Sequence, residues 1–239
     1  MLKSSTISLA ASTGGDFAAY LALPERPVAP AIVILQEIFG INADIRGVAN
    51  SFAVAGYIAI APDLFWRQEP NVELDPAKPE DRERATGLLK GLDTGLAVAD
   101  ALAAVACVRK MPRASGKIGA VGYCLGGKLA YLLATHAEID AAVSYYGVAI
   151  QAALDQVPNL KTKLMLHIAG DDHLCPPQAQ AEIHKAMAGQ ATKVTIIDYP
   201  GAGHAFARRG GASHNAAAAA KADRATLDFL ASELGGNHR

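Results

Sequence analysis

Residues 118–134 constrain this chain more than any other stretch. Ile118-Gly119-Ala120-Val121-Gly122 is a short apolar run of the kind that forms a buried strand. Gly126-Gly127-Lys128-Leu129-Ala130-Tyr131-Leu132-Leu133-Ala134 opens as a helix. The chain must therefore turn from strand to helix across Tyr123-Cys124-Leu125. Gly122 and Gly126 flank Cys124 in the pattern Gly-x-Cys-x-Gly, a nucleophile elbow with sulfur where oxygen is usual. A side chain at such a turn is held on a strained backbone and needs small neighbours, which the two glycines supply. The helix N-terminus favours a thiolate and aims the N–H of Leu125 at a developing oxyanion.

Apolar runs and helical segments alternate on either side. Ser4 to Leu9 and Phe17 to Ala22 read as an edge hairpin around Ser12-Thr13-Gly14-Gly15-Asp16. Ala31 to Leu35, Tyr57 to Ala61, Ala141 to Tyr145, Leu164 to Ile168 and Val194 to Tyr199 read as buried strands. Asn42 to Ala55, Thr94 to Arg109 and Asn215 to Leu234 read as helices. Arg67 to Arg84 is polar, carries Pro70, Pro76 and Pro79, and shows no core pattern, which predicts an excursion or lid. This alternation predicts an α/β fold with a mostly parallel central sheet and helices on both faces. At 239 residues the expectation is a single domain over 1–239.

The formal net charge of −1 gives no field for nucleic acid or an anionic membrane, so neither is an expected partner. No apolar run reaches the length of a membrane span, and Gly14-Gly15-Asp16 interrupts any signal-peptide core. Cys107, Cys124 and Cys175 form no CxxC pair and leave an odd one, which predicts reduced thiols and a cytoplasmic location.

A cysteine nucleophile needs a base and a group that orients it. After the strand Leu164 to Ile168 comes Gly170-Asp171-Asp172-His173, and after Val194 to Tyr199 comes Gly201-Ala202-Gly203-His204. Both loops follow the elbow in the order acid then histidine. His204 is the candidate base. His173 is a weaker rival, since adjacent Asp172 could hardly orient its ring. The pattern leaves Asp171 and Asp172 open as the acid. His136, His167, His184, His214 and His238 read as surface or satisfied histidines. Gln36-Glu37-Ile38-Phe39-Gly40 directly follows the first buried strand. Glu37 would face the same crevice and can hydrogen-bond a thiol, and Ile38 stands where such folds supply a second oxyanion N–H. No metal-ligand spacing is present, and no cofactor is expected.

These residues together resemble the dienelactone hydrolase (carboxymethylenebutenolidase) family. The resemblance is carried by Gln36 to Gly40, Gly122 to Gly127, Asp172-His173-Leu174-Cys175-Pro176 and Gly203 to Arg208. Pro62-Asp63-Leu64, Leu74-Asp75-Pro76 and Tyr145-Tyr146-Gly147-Val148 extend it over nearly the whole chain. It implies an α/β-hydrolase fold and a triad of Cys124, His204 and Asp172, choosing between the two aspartates. It also implies a resting thiol held by Glu37, and an oxyanion hole from the N–H groups of Leu125 and Ile38. The implied substrate is an anionic enol-lactone of the 4-carboxymethylenebut-2-en-4-olide type, opened to a maleylacetate-type acid through a Cys124 thioester. Its carboxylate would be held by Arg82 and Arg208, with Arg84 a competitor for the first place. Three positions depart from the family: Thr86 and Leu89 where Tyr and Trp can occur, and Ala205 where Ser can follow the histidine. These departures remove polar or aromatic wall groups. A broader carboxylesterase or thioesterase, or a non-catalytic redox-sensing cysteine protein, are the rival readings. The expected state is a monomer or weak homo-oligomer.

Overall fold

The structure, a computed structural model, describes residues 3–136 and 138–235. They form one sheet of strands β1 (Lys3–Ala10), β2 (Asp16–Leu23), β3 (Ala29–Leu35), β4 (Ile58–Pro62), β5 (Ala114–Tyr123), β6 (Ala141–Tyr145), β7 (Lys163–Ala169) and β8 (Val194–Tyr199). The spatial order is β1-β2-β4-β3-β5-β6-β7-β8. β2 runs antiparallel to both its neighbours, and every pairing from β4 through to β8 is parallel. The hairpin expected at the sheet edge is therefore β1–β2.

Among the described residues six α-helices cover the sheet: α1 (Ala43–Val54), α2 (Pro79–Lys90), α3 (Thr94–Arg109), α4 (Leu125–Leu133), α5 (Pro177–Met187) and α6 (Ala216–Leu234). α1 and α6 pack on one face, where they bury Ile32, Ile34, Val121 and Val143. The remaining helices pack on the other face, over Val33, Leu35, Ile118 and Ala120. Alternate residues of β3 and β5 thus serve opposite cores, which explains their continuous apolar sequences. Ile32, Ile34 and Leu35 are fully buried, each contributing roughly 1.5–3 kcal/mol. No single helix among the described residues is long and apolar enough to cross a membrane.

The polar excursion after β4 corrects the sequence expectation. Its second half is a helix, α2, which runs past Arg84 to Lys90. Pro79 at the first turn, Glu80 and Asp81 beside it and Lys90 in the last turn suit the helix dipole. The helix buries only Ala85 and Leu88, too narrow a stripe to read against so polar a background. The first half is also anchored, because Val72 and Leu74 are buried and Leu74 N–H donates to Phe39 O at 2.9 Å. Asn42 joins this excursion to α1. Its Oδ1 accepts from Ile45 N–H as the N-cap, and its Nδ2 donates to Leu74 O at 3.1 Å. The excursion is thus fastened against residues 37–42, beside the carboxyl ends of the parallel strands.

His167, set aside in the sequence as a satisfied histidine, is buried on β7. Its ring nitrogens lie 2.9 Å from Tyr199 Oη and 2.9 Å from Thr226 Oγ1. Burial pushes its pKa down to about 3, so the ring is neutral. His238 lies outside the described residues.

Candidate active site

The elbow forms where the sequence places it. β5 ends at Tyr123 and α4 begins at Leu125, leaving Cys124 between them at φ 54° and ψ −113°. Its backbone is fastened on both sides: Cys124 N–H donates to Tyr145 O at 3.0 Å, and Cys124 O accepts from Gly127 N–H and Val148 N–H. Close packing, more than turn geometry, demands the glycines. A Cβ on Gly122 would lie 1.9 Å from Gly126 O, and one on Gly126 would lie 2.1 Å from Leu35 O. Gly126 N–H donates to Gln36 O at 3.0 Å, which draws the end of β3, and so Glu37, against the start of α4.

Asp172 and His204 meet across the loops that follow β7 and β8. His204 Nδ1 lies 2.8 Å from Asp172 Oδ2, and Leu174 N–H donates to Asp172 Oδ1 at 2.8 Å. Asp172 is buried whereas Asp171 is exposed, so the geometry selects Asp172 as the residue that orients the ring. With Nδ1–H given to Asp172, Nε2 is the free basic nitrogen, and it is buried without a hydrogen-bond partner. Tyr146 packs edge-to-face on His204 with ring centroids 5.2 Å apart. His173 is exposed, its ring 6.1 Å from that of His204.

Cys124, His204, Ile38, Phe39, Arg82 and Arg208 line one cleft at the carboxyl ends of the strands. Burial, and next the charge of Glu37, push the Cys124 thiol far above its usual range, while Leu125 N–H and Arg208 pull it back. The resting thiol is therefore neutral. Backbone strain gathers here. Of the five described non-glycine residues at positive φ, Cys124, Tyr146 and Ala205 flank the cleft, Asn71 and Ala149 being the others.

Glu37 departs from its expected place. Its Oε2 accepts from Arg208 Nε and from a terminal Arg208 nitrogen, both at 2.7 Å, and its Oε1 is buried without a partner. The thiol–carboxylate hydrogen bond implied by the resemblance is replaced by this ion pair, because a guanidinium offers a carboxylate charge as well as two donors. Glu37 lines a second, adjoining cavity of about 260 Å³ rather than the cleft itself.

Of the two arginine candidates on α2, Arg82 faces the cleft and Arg84 turns away to an ion pair with Glu69. Arg82 is exposed, with a contact of 3.2 Å to Pro76 O. Thr86 and Leu89 are absent from the cleft walls: Thr86 Oγ1 donates to Arg82 O, and Leu89 packs against the core. Only Ala205, among the three departures, lines the cleft. Sequence reasoning gave no role to Tyr146 or Phe39. Phe39 lies beneath the Arg208 guanidinium at 5.0 Å, and both residues sit inside segments already singled out. Among the described residues no group of three His, Cys, Asp or Glu side chains is placed to hold a metal ion.

A mostly parallel sheet with an elbow after its central strand, an acid after β7 and a histidine after β8 defines an α/β-hydrolase. The profile of the dienelactone hydrolase family matches residues 17–234, and the chain belongs to that family. It is therefore a hydrolase. It is 40% identical over 225 residues to the carboxymethylenebutenolidase of Pseudomonas putida, covering 94% of this chain and 95% of that one. It is 36% identical over 230 residues to carboxymethylenebutenolidase 1 of Cupriavidus pinatubonensis, covering 96% and 97%. A crystal structure from Klebsiella pneumoniae subsp. pneumoniae, of a protein provisionally named a dienelactone hydrolase, superposes with a TM-score of 0.84. The two chains share 25% identity, and the match covers 97% of this chain and 99% of that one.

Proposed function

We propose that this enzyme hydrolyses a carboxylate-bearing enol-lactone of the 4-carboxymethylenebut-2-en-4-olide type through a thioester on Cys124. The observation that carries the reading is a neutral thiol in one cleft with an oriented His204–Asp172 pair and two arginines. The similarity to carboxymethylenebutenolidases supports the substrate class.

In this reading the substrate carboxylate enters between Arg82 and Arg208 and competes with Glu37 for Arg208. The released glutamate turns to the thiol and takes its proton. The thiolate attacks the lactone carbonyl, and the oxyanion is held by the N–H groups of Leu125 and Ile38. The ring C–O bond breaks, and the leaving enolate takes a proton to give a ketone. His204 Nε2 then removes a proton from water, which attacks the thioester. The tetrahedral intermediate collapses to a maleylacetate-type acid and restores the thiol. Asp172 fixes the imidazole tautomer and stabilises its charged form.

The test compares purified wild type and Cys124→Ala on an anionic dienelactone and on a neutral aryl ester. Loss of turnover in Cys124→Ala, with Cys107→Ala and Cys175→Ala active, is expected. A fully active Cys124→Ala enzyme overturns the mechanism. The engagement of Arg208 with Glu37 favours a second reading, a broader carboxylesterase or thioesterase without anion selection. Equal kcat/KM for anionic and neutral substrates would bring that reading forward.

A further inference from the structure

The cavity behind the Glu37–Arg208 pair has a construction of its own. It lies between α1 and α6, over the ends of β5 and β6, and shares Arg208 and Arg209 with the cleft, but Cys124 does not line it. Its volume is about 260 Å³, against the roughly 150 Å³ of an engineered apolar cavity that accepts benzene. Tyr123, Tyr145 and Tyr146 form an aromatic floor, and Phe52 and Val48 of α1 add apolar wall. The tyrosine rings are held in place by one another: Tyr123 stacks on Tyr145 with centroids 4.7 Å apart, and Tyr146 meets Tyr145 edge-on at 6.2 Å. Exposed Gly47, Ser51 and Arg209 stand at the rim, so the cavity opens to solvent.

Two polar features are left for an occupant. Tyr145 Oη is engaged by Asp223 and Thr226, but among the described residues the hydroxyls of Tyr123 and Tyr146 have no hydrogen-bond partner. Both side chains are more than nine-tenths buried and line the cavity. On the wall that the cavity shares with the cleft, Asp44 has no ion-pair or hydrogen-bond partner among the described residues. The balance of charge is nearly even. Glu37, Asp44 and Asp223 oppose Arg208 and Arg209, and Arg208 is already committed to Glu37. Neither an anion nor a cation is selected. Aromatic walls, two phenol hydroxyls and spare carboxylate acceptors instead suit an uncharged ring that carries its own hydroxyl.

We propose that this cavity is a binding site for an uncharged hydroxylated aromatic ring of phenol size, distinct from the catalytic cleft. Such an occupant would rest against Glu37 and Arg208 without touching Cys124.

Phenol is the probe, titrated into the whole protein by calorimetry and ligand-observed NMR. The expected result is one site per chain with Kd of about 1 mM, the range open to a ligand of seven non-hydrogen atoms. Benzoate and benzylammonium should bind at least tenfold more weakly. Tyr123→Phe, which keeps the ring and removes the hydroxyl, should weaken phenol about three- to tenfold. Gly47→Leu should abolish binding by filling the cavity, since a Cβ at Gly47 meets nothing within 4 Å and Leu favours the helix. Thermal unfolding of both variants verifies that they fold. Alkylation of Cys124 should leave phenol binding intact, which separates this site from the cleft and from the proposed reaction. No saturable binding, tighter binding of either charged ring, or loss of binding on Cys124 alkylation overturns the proposal. So does unchanged binding in folded Gly47→Leu.

Discussion

The proposed mechanism gives one thiol two bases, and the structure holds them differently. His204 is oriented by Asp172, whereas Glu37 is held through one oxygen by Arg208 and keeps the other without a partner. That difference is the reason the proposal gives the first proton transfer to Glu37 and the second to His204. Glu37→Gln cannot accept a proton, so acylation should slow by on the order of 10²-fold or more. Deacylation should suffer less. Single-turnover kinetics, which separate the two steps, provide the check, and an unchanged acylation rate would remove Glu37 from the mechanism. The sequence made Cys124 and His204 legible because an elbow and a glycine-flanked histidine are local patterns. It left Asp171 and Asp172 level, since both follow the same strand and only the turn decides which is buried. The partner of Glu37 could not be read at all, because Arg208 lies 171 residues away in the chain and reaches it only through the fold.

At the scale of elements, α2 carries the exposed arginine of the cleft and the loop after β8 carries the half-buried one. The two should therefore differ in weight. Arg208 is half-buried and already paired with Glu37, and a charge-assisted bond there is worth about 1.5–3 kcal/mol. Arg208→Ala should accordingly lower kcat/KM for an anionic lactone by roughly 10- to 100-fold. Arg82 is solvated, and Arg82→Ala should cost about tenfold or less. Neutral aryl esters should lose little in Arg82→Ala, and the ratio of the two activities gives the measurement. Equal losses on both substrates would make α2 a structural support. α2 itself was hidden in the sequence, because a two-residue buried stripe on a charged helix leaves almost no period. α3 was legible to the residue, since Asp93 caps it and its alanines continue without interruption.

For the molecule as a whole, the buried polar chain beneath the site sets an acid limit. His167 has a folded pKa near 3 against about 6.5 when unfolded. Its neutral form is native at both its bonds, so the unfolded chain binds the extra proton first. Stability is therefore full above about pH 6.5 and falls as pH drops towards 3, by on the order of 4 kcal/mol if nothing else titrates. Asp63 and Asp223, whose pKa values burial raises, act in the opposite sense at the lower end of that window. Urea unfolding between pH 7 and 4.5 should show the decline. A His167→Gln variant should lose about one proton from the slope. An identical slope in the variant would assign the acid sensitivity elsewhere.

β8 is the last strand in the sheet order, hydrogen-bonded to β7 on one side only, and His204 follows it directly. The elbow, by contrast, sits among β3, β5 and β6 at the centre. A strand with one neighbour opens at lower free energy than one with two. In the proposed mechanism the nucleophile thus sits in the most durable part of the molecule and the deacylating base in a less durable one. In rising denaturant the thiol should stay shielded while turnover fades, and any covalent adduct should linger on Cys124 for want of a working base. Hydrogen exchange should report the same division, with amides of 194–199 exchanging ahead of those of 118–123. Catalytic output then becomes an early gauge of fraying, registering a loosened margin while circular dichroism still reads as native.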